Sequence, residues 1–329
     1  MTIDTVAIRN AVAQKRHKKT TDPTFVVRSY CPIYLLAKDM TAPNETGELV
    51  HPIRVFKVAS DDDFKAFQHV IIPAFRELEW DEYDVRQAER QFIESGNYQL
   101  KPEDHTLLLS YYRGEVDHEV IAPLLESMTE SEAEKIMVPY RKKACRLFTA
   151  TKQEDLSDWL VEKKPEGNVL QNVSQNDYRS IERKYKSIPD NIVEHTLFKD
   201  LLSHIIHMTK ESRPDAHTMQ ITAWMMSCYT WTNGPTTNSP EGIHQDGADF
   251  IVSAYVIERT NVVGGASRIF HSSNMKQPIM KFLLSPGEGL FQADASSPLW
   301  HDVTHIEIAD ERQPFGVRSL IGFDINVTK

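Results

Sequence analysis

The chain has 329 residues, 40% hydrophobic and 26% charged, the balance of an ordinary globular protein long enough for a substantial core. A formal net charge of -10 repels phosphate backbones and anionic bilayers, so neither a nucleic-acid nor a membrane partner is expected. Three scattered cysteines, Cys31, Cys145 and Cys228, contain no CxxC pair; they give no basis for a disulfide framework or zinc ribbon and suit reduced thiols in a cytoplasmic protein.

Residues 1–22 lack the apolar stretch of a secretory signal, and the cluster Lys15-Arg16-His17-Lys18-Lys19 makes them read as a flexible, solvated tail. Phe25 to Leu36 is apolar and β-branched and predicts one or two strands, with Pro32 marking an edge or a break. Ser60 followed by three aspartates predicts a helix start, and Phe64, Phe67, Ile71, Phe75 and Leu78 follow at helical spacing as a core face. From Tyr83 to Lys164 the chain is charged and reads as helical, with helices at Glu103 to Tyr112, Ala122 to Met128 and Ser131 to Lys143. Lys152 to Gly167 reads as a linker or long surface loop. Residues 23–164 are thus expected to form a helix-rich N-terminal region.

The character changes near Val169. A helix is predicted at Thr196 to Met208, then strands at Thr218 to Trp231, Asp249 to Arg259, Ala266 to His271, Gly289 to Asp294, His301 to Ile308 and Arg318 to Val327. Turn signals such as Gly264-Gly265 and Ser285-Pro286-Gly287 separate them. The fold class expected is α+β with a mainly β core over residues 165–329, an antiparallel sandwich or jelly roll braced by helices from the N-terminal half.

His244-Gln-Asp246 is the segment richest in chemistry. On a strand, alternate residues share a face, so both side chains would point the same way. A histidine from another strand would complete a two-histidine, one-carboxylate face on a divalent metal. The triplet alone says little: 13 histidines and 47 acidic residues in 329 give about two such triplets by chance, and the chain holds two, the other being His305-Ile-Glu307. The downstream context adds weight. His301 heads a strand-like run, and Arg318 lies in the apolar strand RSLIGFD, where a permanent positive charge needs an anion. Either a protein carboxylate or a bound dicarboxylate would serve.

Four motifs in order, PEGIHQDGADF (240–250), NVVGGASRIF (261–270), WHDVTHI (300–306) and GVRSLIGFDI (316–325), resemble the bacterial 2OG-Fe dioxygenase family that includes the free L-isoleucine hydroxylases. Gln175-Asn-Asp-Tyr178, Ile181-Glu-Arg183-Lys-Tyr185 and Phe198-Lys-Asp-Leu-Leu202 add to the likeness, which covers roughly residues 165 to 329. The resemblance implies a double-stranded β-helix and an oxygenase that uses Fe(II), 2-oxoglutarate and O2. It implies His244, Asp246 and His301 as metal ligands and Arg318 as the anchor of 2-oxoglutarate. The reaction implied is hydroxylation, or dealkylation following hydroxylation, of a free amino acid or a metabolite built on one, with release of succinate and CO2. Within WHDVTHI, the family pattern favours His301 over His305, four residues on, as the distal ligand. Arg268, Trp224, Tyr229 and Trp231 are candidates for contacting a small zwitterionic substrate, and a homo-oligomer is compatible with the sequence. Two other readings remain open here: a cupin-like isomerase or hydrolase without 2-oxoglutarate, which would have no use for Arg318, and a non-catalytic jelly-roll binding protein, which would not keep a complete triad.

Overall fold

In the computed structural model, which describes residues 24–27, 39–43, 49–95, 100–126, 128–132, 140–153, 158–164, 168–169, 183–231 and 234–328, strands β1 (Thr24–Val27), β2 (Asp39–Pro43) and β3 (Leu49–Lys57) precede helix α1 (Asp61–Arg76). Next come β4 (Glu79–Trp80), α2 (Glu82–Ser95), α3 (Pro102–Tyr112), β5 (Arg141–Lys152), β6 (Trp159–Lys163), β7 (Asn168–Val169), β8 (Arg183–Lys184), α4 (Asp190–Val193) and α5 (Thr196–Ser212). The C-terminal part holds β9 (Thr218–Thr230), β10 (Phe250–Thr260), β11 (Val262–Gly264), β12 (Ser267–His271), β13 (Met280–Phe282), β14 (Glu288–Ala293), β15 (Leu299–Val303), β16 (Ile306–Ile308) and β17 (Gly316–Thr328). The expected tail over 1–22, Cys31 and the motifs at 175–181 lie outside the described residues.

A large antiparallel sheet runs in the order β1-β6-β5-β9-β17-β10-β14-β3-β2, and a second sheet is ordered β13-β12-β15. Period-two alternation gives each face of the large sheet its own character. On one face, Ile221 and Ala223 of β9 and Ile321 and Phe323 of β17 join the main hydrophobic core. Helices α1 and α5 cover it with Phe64, Phe67, Ile71 and Phe75 from one and Leu197, Phe198, Leu201 and Ile205 from the other. These residues recur three or four apart, as a buried helix stripe requires. Each buried aromatic or leucine contributes about 1.5–3 kcal/mol. Ser60 caps α1, its hydroxyl accepting from the Asp63 N–H at 3.2 Å.

The other face is polar at one end. Register places Arg318 of β17 beside Cys228 of β9 and Arg141 of β5, then Leu320 beside Met226 and Lys143, then Gly322 beside Trp224 and Cys145. This face looks toward the candidate site. The architecture mixes helices with a large antiparallel sheet and is consistent with a jelly roll. Among the described residues no helix is long and apolar enough to cross a membrane.

Four expected elements differ from the structure. Arg141 to Lys143, assigned to a helix, begin β5, and Lys152 to Gly167 holds strand β6 rather than a plain linker, with Lys152 opposite Trp159. The cause is that cations occupy buried strand positions, so RKKACRLFTATK shows no hydrophobic alternation at its start. Strand β5 pairs with β9, so strands from both halves of the chain share the large sheet. The strand expected from His301 to Ile308 breaks after Val303, and Ile306–Ile308 pairs instead with β11. The helix expected over Ala122 to Met128 is a 3-10 turn at Ala122–Leu125.

Candidate metal centre

His244 and Asp246 lie in the turn-rich connection between β9 and β10, and His301 lies on β15. His244 and His301 form an isolated antiparallel bridge, each backbone N–H donating to the other's carbonyl at 2.9 Å. The bridge sets their rings side by side with centroids 4.4 Å apart. His244 and Asp246 do not share a strand, contrary to the sequence expectation. Asp246 is instead placed by a loop that turns through Gly247, whose φ of 87° suits glycine. Asp294, at the end of β14, clasps that loop: its Oδ2 accepts from the N–H groups of Asp246 and Gly247, both at 2.8 Å. Gln245 ties the same loop down by donating to the carbonyls of Asp294 at 2.9 Å and Leu299 at 2.7 Å.

Three donors converge. The Asp246 carboxylate lies 3.5 Å from His244 Nε2 and 3.3 Å from His301 Nε2. One ligand atom from each of the three residues falls within 4.8 Å of the others, the one such group among the described residues. His305 is exposed in the break between β15 and β16 and takes no part. Two imidazoles and one carboxylate on one side of a cavity suit a divalent first-row ion and leave its other positions open. The remaining ring atoms fit that role. His244 Nδ1 donates to the Gly242 carbonyl at 2.8 Å, which leaves Nε2 free to bind metal. His301 Nδ1 is buried without a hydrogen bond and lies 3.7 Å from Asp294 Oδ1, the nearest carboxylate.

The electrostatics agree with a cation site. Burial opposes the charged form of Asp246, but hydrogen bonds from His244 and His301 outweigh it and hold its carboxyl well below the usual range. Burial opposes protonation of His244 as well, yet Asp246 and Glu241 raise it to about 9. His301 is lowered by burial and by the neighbouring His244. Asp294 is pushed up to about 8 by burial and by the charge of Asp246.

Arg318 is fully buried. Its Nη1 donates to Asn238 Oδ1 at 3.0 Å, while Nε and Nη2 have no partner. Burial, then the neighbouring Arg259, push its guanidinium down to about 10. A desolvated cation with two open N–H groups is costly unless an anion joins it, and the carboxylate end of 2-oxoglutarate has the matching geometry.

The cavity of about 750 Å³, counting its mouth, is lined by the three candidate ligands and by Asn238, the partner of Arg318. Its sheet wall includes Trp224, Met226 and Leu320. Of the substrate candidates, only Trp224 lines it, with its Nε1 donating to Asp324 at 2.8 Å. Tyr229 near the end of β9 and Trp231 just beyond it are stacked on one another at 6.0 Å, with Trp80 edge-on to Tyr229 and tilted against Trp231. Arg268 is bound in a bidentate pair to Asp302, with Nε donating at 2.7 Å, and does not line the cavity. Sequence reasoning passed over Arg141, Lys143 and Arg183, which do line it, and also Asn238 and Asp294. Asn238 stands just upstream of the PEGIHQD motif, a proximity that could have drawn attention to it. Arg183 lies in the Ile181-Glu-Arg183-Lys-Tyr185 motif, which by itself gave it no role, and Arg141, Lys143 and Asp294 carry no local signal.

A family model described as 2OG-Fe dioxygenase matches residues 127–324. Among solved structures, a bsmA homolog from Methylobium petroleophilum PM1 shares the fold, with a TM-score of 0.54 at 16% identity over 83% of this chain and 88% of that one. IDO from Bacillus thuringiensis gives 0.47 at 12% identity over 75% and 99%. The Fe(II)/α-ketoglutarate-dependent dioxygenase TqaL gives 0.41 at 12% identity over 82% and 92%. No curated protein matches the chain.

Proposed function

We propose, from the premise that the chain belongs to the 2OG-Fe dioxygenase family, that it hydroxylates an aliphatic C–H of a free amino acid or of a small metabolite built on one, in some cases as the first step of an oxidative dealkylation. The protein is a non-haem iron oxygenase that uses Fe(II), 2-oxoglutarate and O2. In this reading His244, Asp246 and His301 hold the iron and Arg318 holds the far carboxylate of 2-oxoglutarate. The large sheet and the β13-β12-β15 sheet are the two sides of a double-stranded β-helix, with residues 165–329 as its core. The observation that carries the assignment is a three-donor cluster facing a cavity that also exposes Asn238, the single polar partner of an otherwise unmatched buried arginine.

When bound, the metal and 2-oxoglutarate supply an oxidising equivalent, one oxygen atom of O2 leaving in succinate as CO2 is lost and the other entering the substrate C–H bond. The chain's residues then select and position. Gly242 fixes the His244 tautomer, and Asp294 with Gln245 fixes the loop that presents Asp246. As a ligand, the Asp246 carboxylate would take a place that a halide would otherwise need, a donor set that favours hydroxyl transfer over halogenation. Trp224, Met226 and Leu320 keep bulk water off the reacting carbon.

A small zwitterion is supported by the cavity's wall, where cationic Arg183 lies with acidic Glu241 and Asp324, beside Arg141 and Lys143 whose charges Asp84 and Asp81 meet. Buried charges of both signs can meet a carboxylate and an ammonium at once. Cys145 and Cys228 are buried thiols outside any disulfide, which suits a reducing cytoplasm. The test is a succinate-release screen over free amino acids and their derivatives, run with Fe(II), 2-oxoglutarate and O2. Stimulation by a small zwitterion supports the reading. Stimulation by only a protein, a nucleic acid or an acyl thioester would overturn it.

A further inference from the structure

Arg318 does not stand alone. Across the β10–β17 ladder, Arg259 is its direct partner in register. Opposed residues of an antiparallel pair project to the same face at close range, and like charges placed there destabilise the sheet. Gly265, with a φ of 69°, packs over both side chains: a Cβ on it would lie 3.0 Å from Arg318 Cδ and 3.2 Å from Arg259 Nη1. The two side chains therefore lie together beneath the Gly264-Gly265 turn, close enough that the charge of Arg259 pushes the Arg318 guanidinium down.

Their hydrogen bonding is incomplete in the same direction. Arg259 Nη2 donates to the Gly264 carbonyl at 2.6 Å, but its Nη1 is buried without a partner. Arg318 Nε and Nη2 are likewise unpartnered. Among the described residues, no carboxylate lies within ion-pair distance of either arginine, although other buried cations of this fold have one, such as Lys143 with Asp81 at 2.6 Å. Neither guanidinium deprotonates at physiological pH, so proton loss cannot relieve the repulsion. A carboxylate has two oxygens and about four acceptor positions, enough to receive N–H groups from both side chains.

We propose that Arg259 is the second half of the co-substrate clamp, so that the far carboxylate of 2-oxoglutarate is held between two arginines and neutralises a repulsion built into the apoprotein. The proposal rests on the reading of Arg318 as the anchor. It implies that 2-oxoglutarate, and also succinate with the same terminal carboxylate, stabilise the fold without metal. It also implies that removing Arg259 weakens co-substrate binding while stabilising the ligand-free protein.

Arg259 is only half-buried, so Arg259→Met and Arg259→Lys are tolerable substitutions. Two readouts are taken: melting temperature of the metal-free protein with and without 2-oxoglutarate or succinate at constant ionic strength, and the Kd for 2-oxoglutarate from the anaerobic Fe(II) charge-transfer band. Arg259→Met is expected to weaken 2-oxoglutarate roughly 10- to 100-fold, the loss of a charge-assisted hydrogen bond. It should melt above wild type in the absence of ligand and lose most of the dicarboxylate-induced shift, and Arg259→Lys should fall between the two. An unchanged Kd in Arg259→Met beside a weakened Kd in Arg318→Met overturns the two-arginine clamp and leaves the anchor in place. An unchanged Kd in both overturns the anchor reading itself. Chloride that stabilises the wild type as strongly as 2-oxoglutarate overturns the assignment of the space to a carboxylate.

Discussion

A buried guanidinium with two open N–H groups, and an Asp246 carboxylate within 3.5 Å of two imidazoles, set what single side chains can do in this protein. Arg318→Ala should weaken 2-oxoglutarate binding by about 2–5 kcal/mol, roughly 30- to several-thousand-fold, because the carboxylate would lose a buried bidentate partner. Iron binding should change little, since Arg318 hydrogen-bonds Asn238 and none of the three ligands. Equal 2-oxoglutarate affinity in the mutant and the wild type would refute the anchor. His301→Ala should abolish iron binding, whereas His305→Ala should keep it, because His305 is exposed where the strand has broken; metal titration of the two mutants decides, and the reverse result moves the ligand. His244 gives a pH prediction. Its pKa in the metal-free protein is raised from 6.5 to about 9, and only the neutral ring binds metal. Metal binding must therefore expel a proton, and apparent Co(II) affinity should climb by up to about tenfold per pH unit between 6 and 8. The raised pKa also favours folding of the metal-free form below 6.5, an advantage lost as pH rises through 9. Flat Co(II) affinity over that range would contradict the His244 assignment. At this scale the sequence was informative where chemistry is carried by residue type: the His-x-Asp spacing, His301 and the arginine in an apolar strand were all visible in it. Arg268 misled, because nothing local announces that Asp302 sits opposite it across β12 and β15.

Among the elements, those whose pattern is hydrophobic were legible and those patterned by charge were not. Helices α1 and α5 and strands β9, β10 and β17 were predicted to within a few residues, because their apolar spacing matches their period. Strand β5 was missed because its inward positions carry Arg141 and Lys143, whose charges are met by residues far away in the chain. Asp84 at the start of α2 binds Arg141 through both oxygens, and Asp81 just before it binds Lys143 at 2.6 Å. These contacts fasten α2 to the sheet edge of the cavity, and only the folded topology brings the partners together. Asp84→Ala should strand the Arg141 charge in the interior and cost about 3 kcal/mol, the low end for a broken buried pair, because Asp81 remains 4.0 Å away. Urea unfolding measures this directly. An unchanged midpoint would show that the α2–β5 lattice contributes nothing to stability. The same variant should also disturb the site, since Arg141 Nη1 donates to the Asn238 carbonyl at 2.8 Å and Asn238 holds Arg318.

At the scale of the whole molecule, the chemistry sits in the second half of the sequence while the sheet that presents it depends on both. Strand β9, whose Trp224 and Met226 line the cavity, is flanked by β17 on one side and by β5 on the other. The β5–β9 ladder runs from Arg141 opposite Cys228 to Thr151 opposite Thr218, nearly the full length of both strands. A fragment of residues 165–329 would keep every candidate ligand and Arg318 but would lose β5, β6 and α1. It would bare the N–H and C=O groups along β9, and an unpaired edge of that length is a template for aggregation. Loss of α1 would also uncover the face where Phe64, Phe67, Ile71 and Phe75 now pack beside α5, forfeiting about 1.5–3 kcal/mol for each buried aromatic or isoleucine. A domain's net stability is only about 5–15 kcal/mol. The expected outcome is therefore that the 165–329 fragment is insoluble or lacks a cooperative thermal transition, and that it shows no anaerobic Fe(II)–2-oxoglutarate band. A fragment of residues 49–329 should retain both, since it keeps α1, β5 and β6 and, among the described elements, gives up β1 and β2, the outermost strands of the sheet. Size-exclusion chromatography, circular-dichroism melting and the charge-transfer band distinguish the two. A monomeric 165–329 fragment that melts cooperatively and forms the band would show that the second half is an autonomous core after all, with the first half no more than a brace.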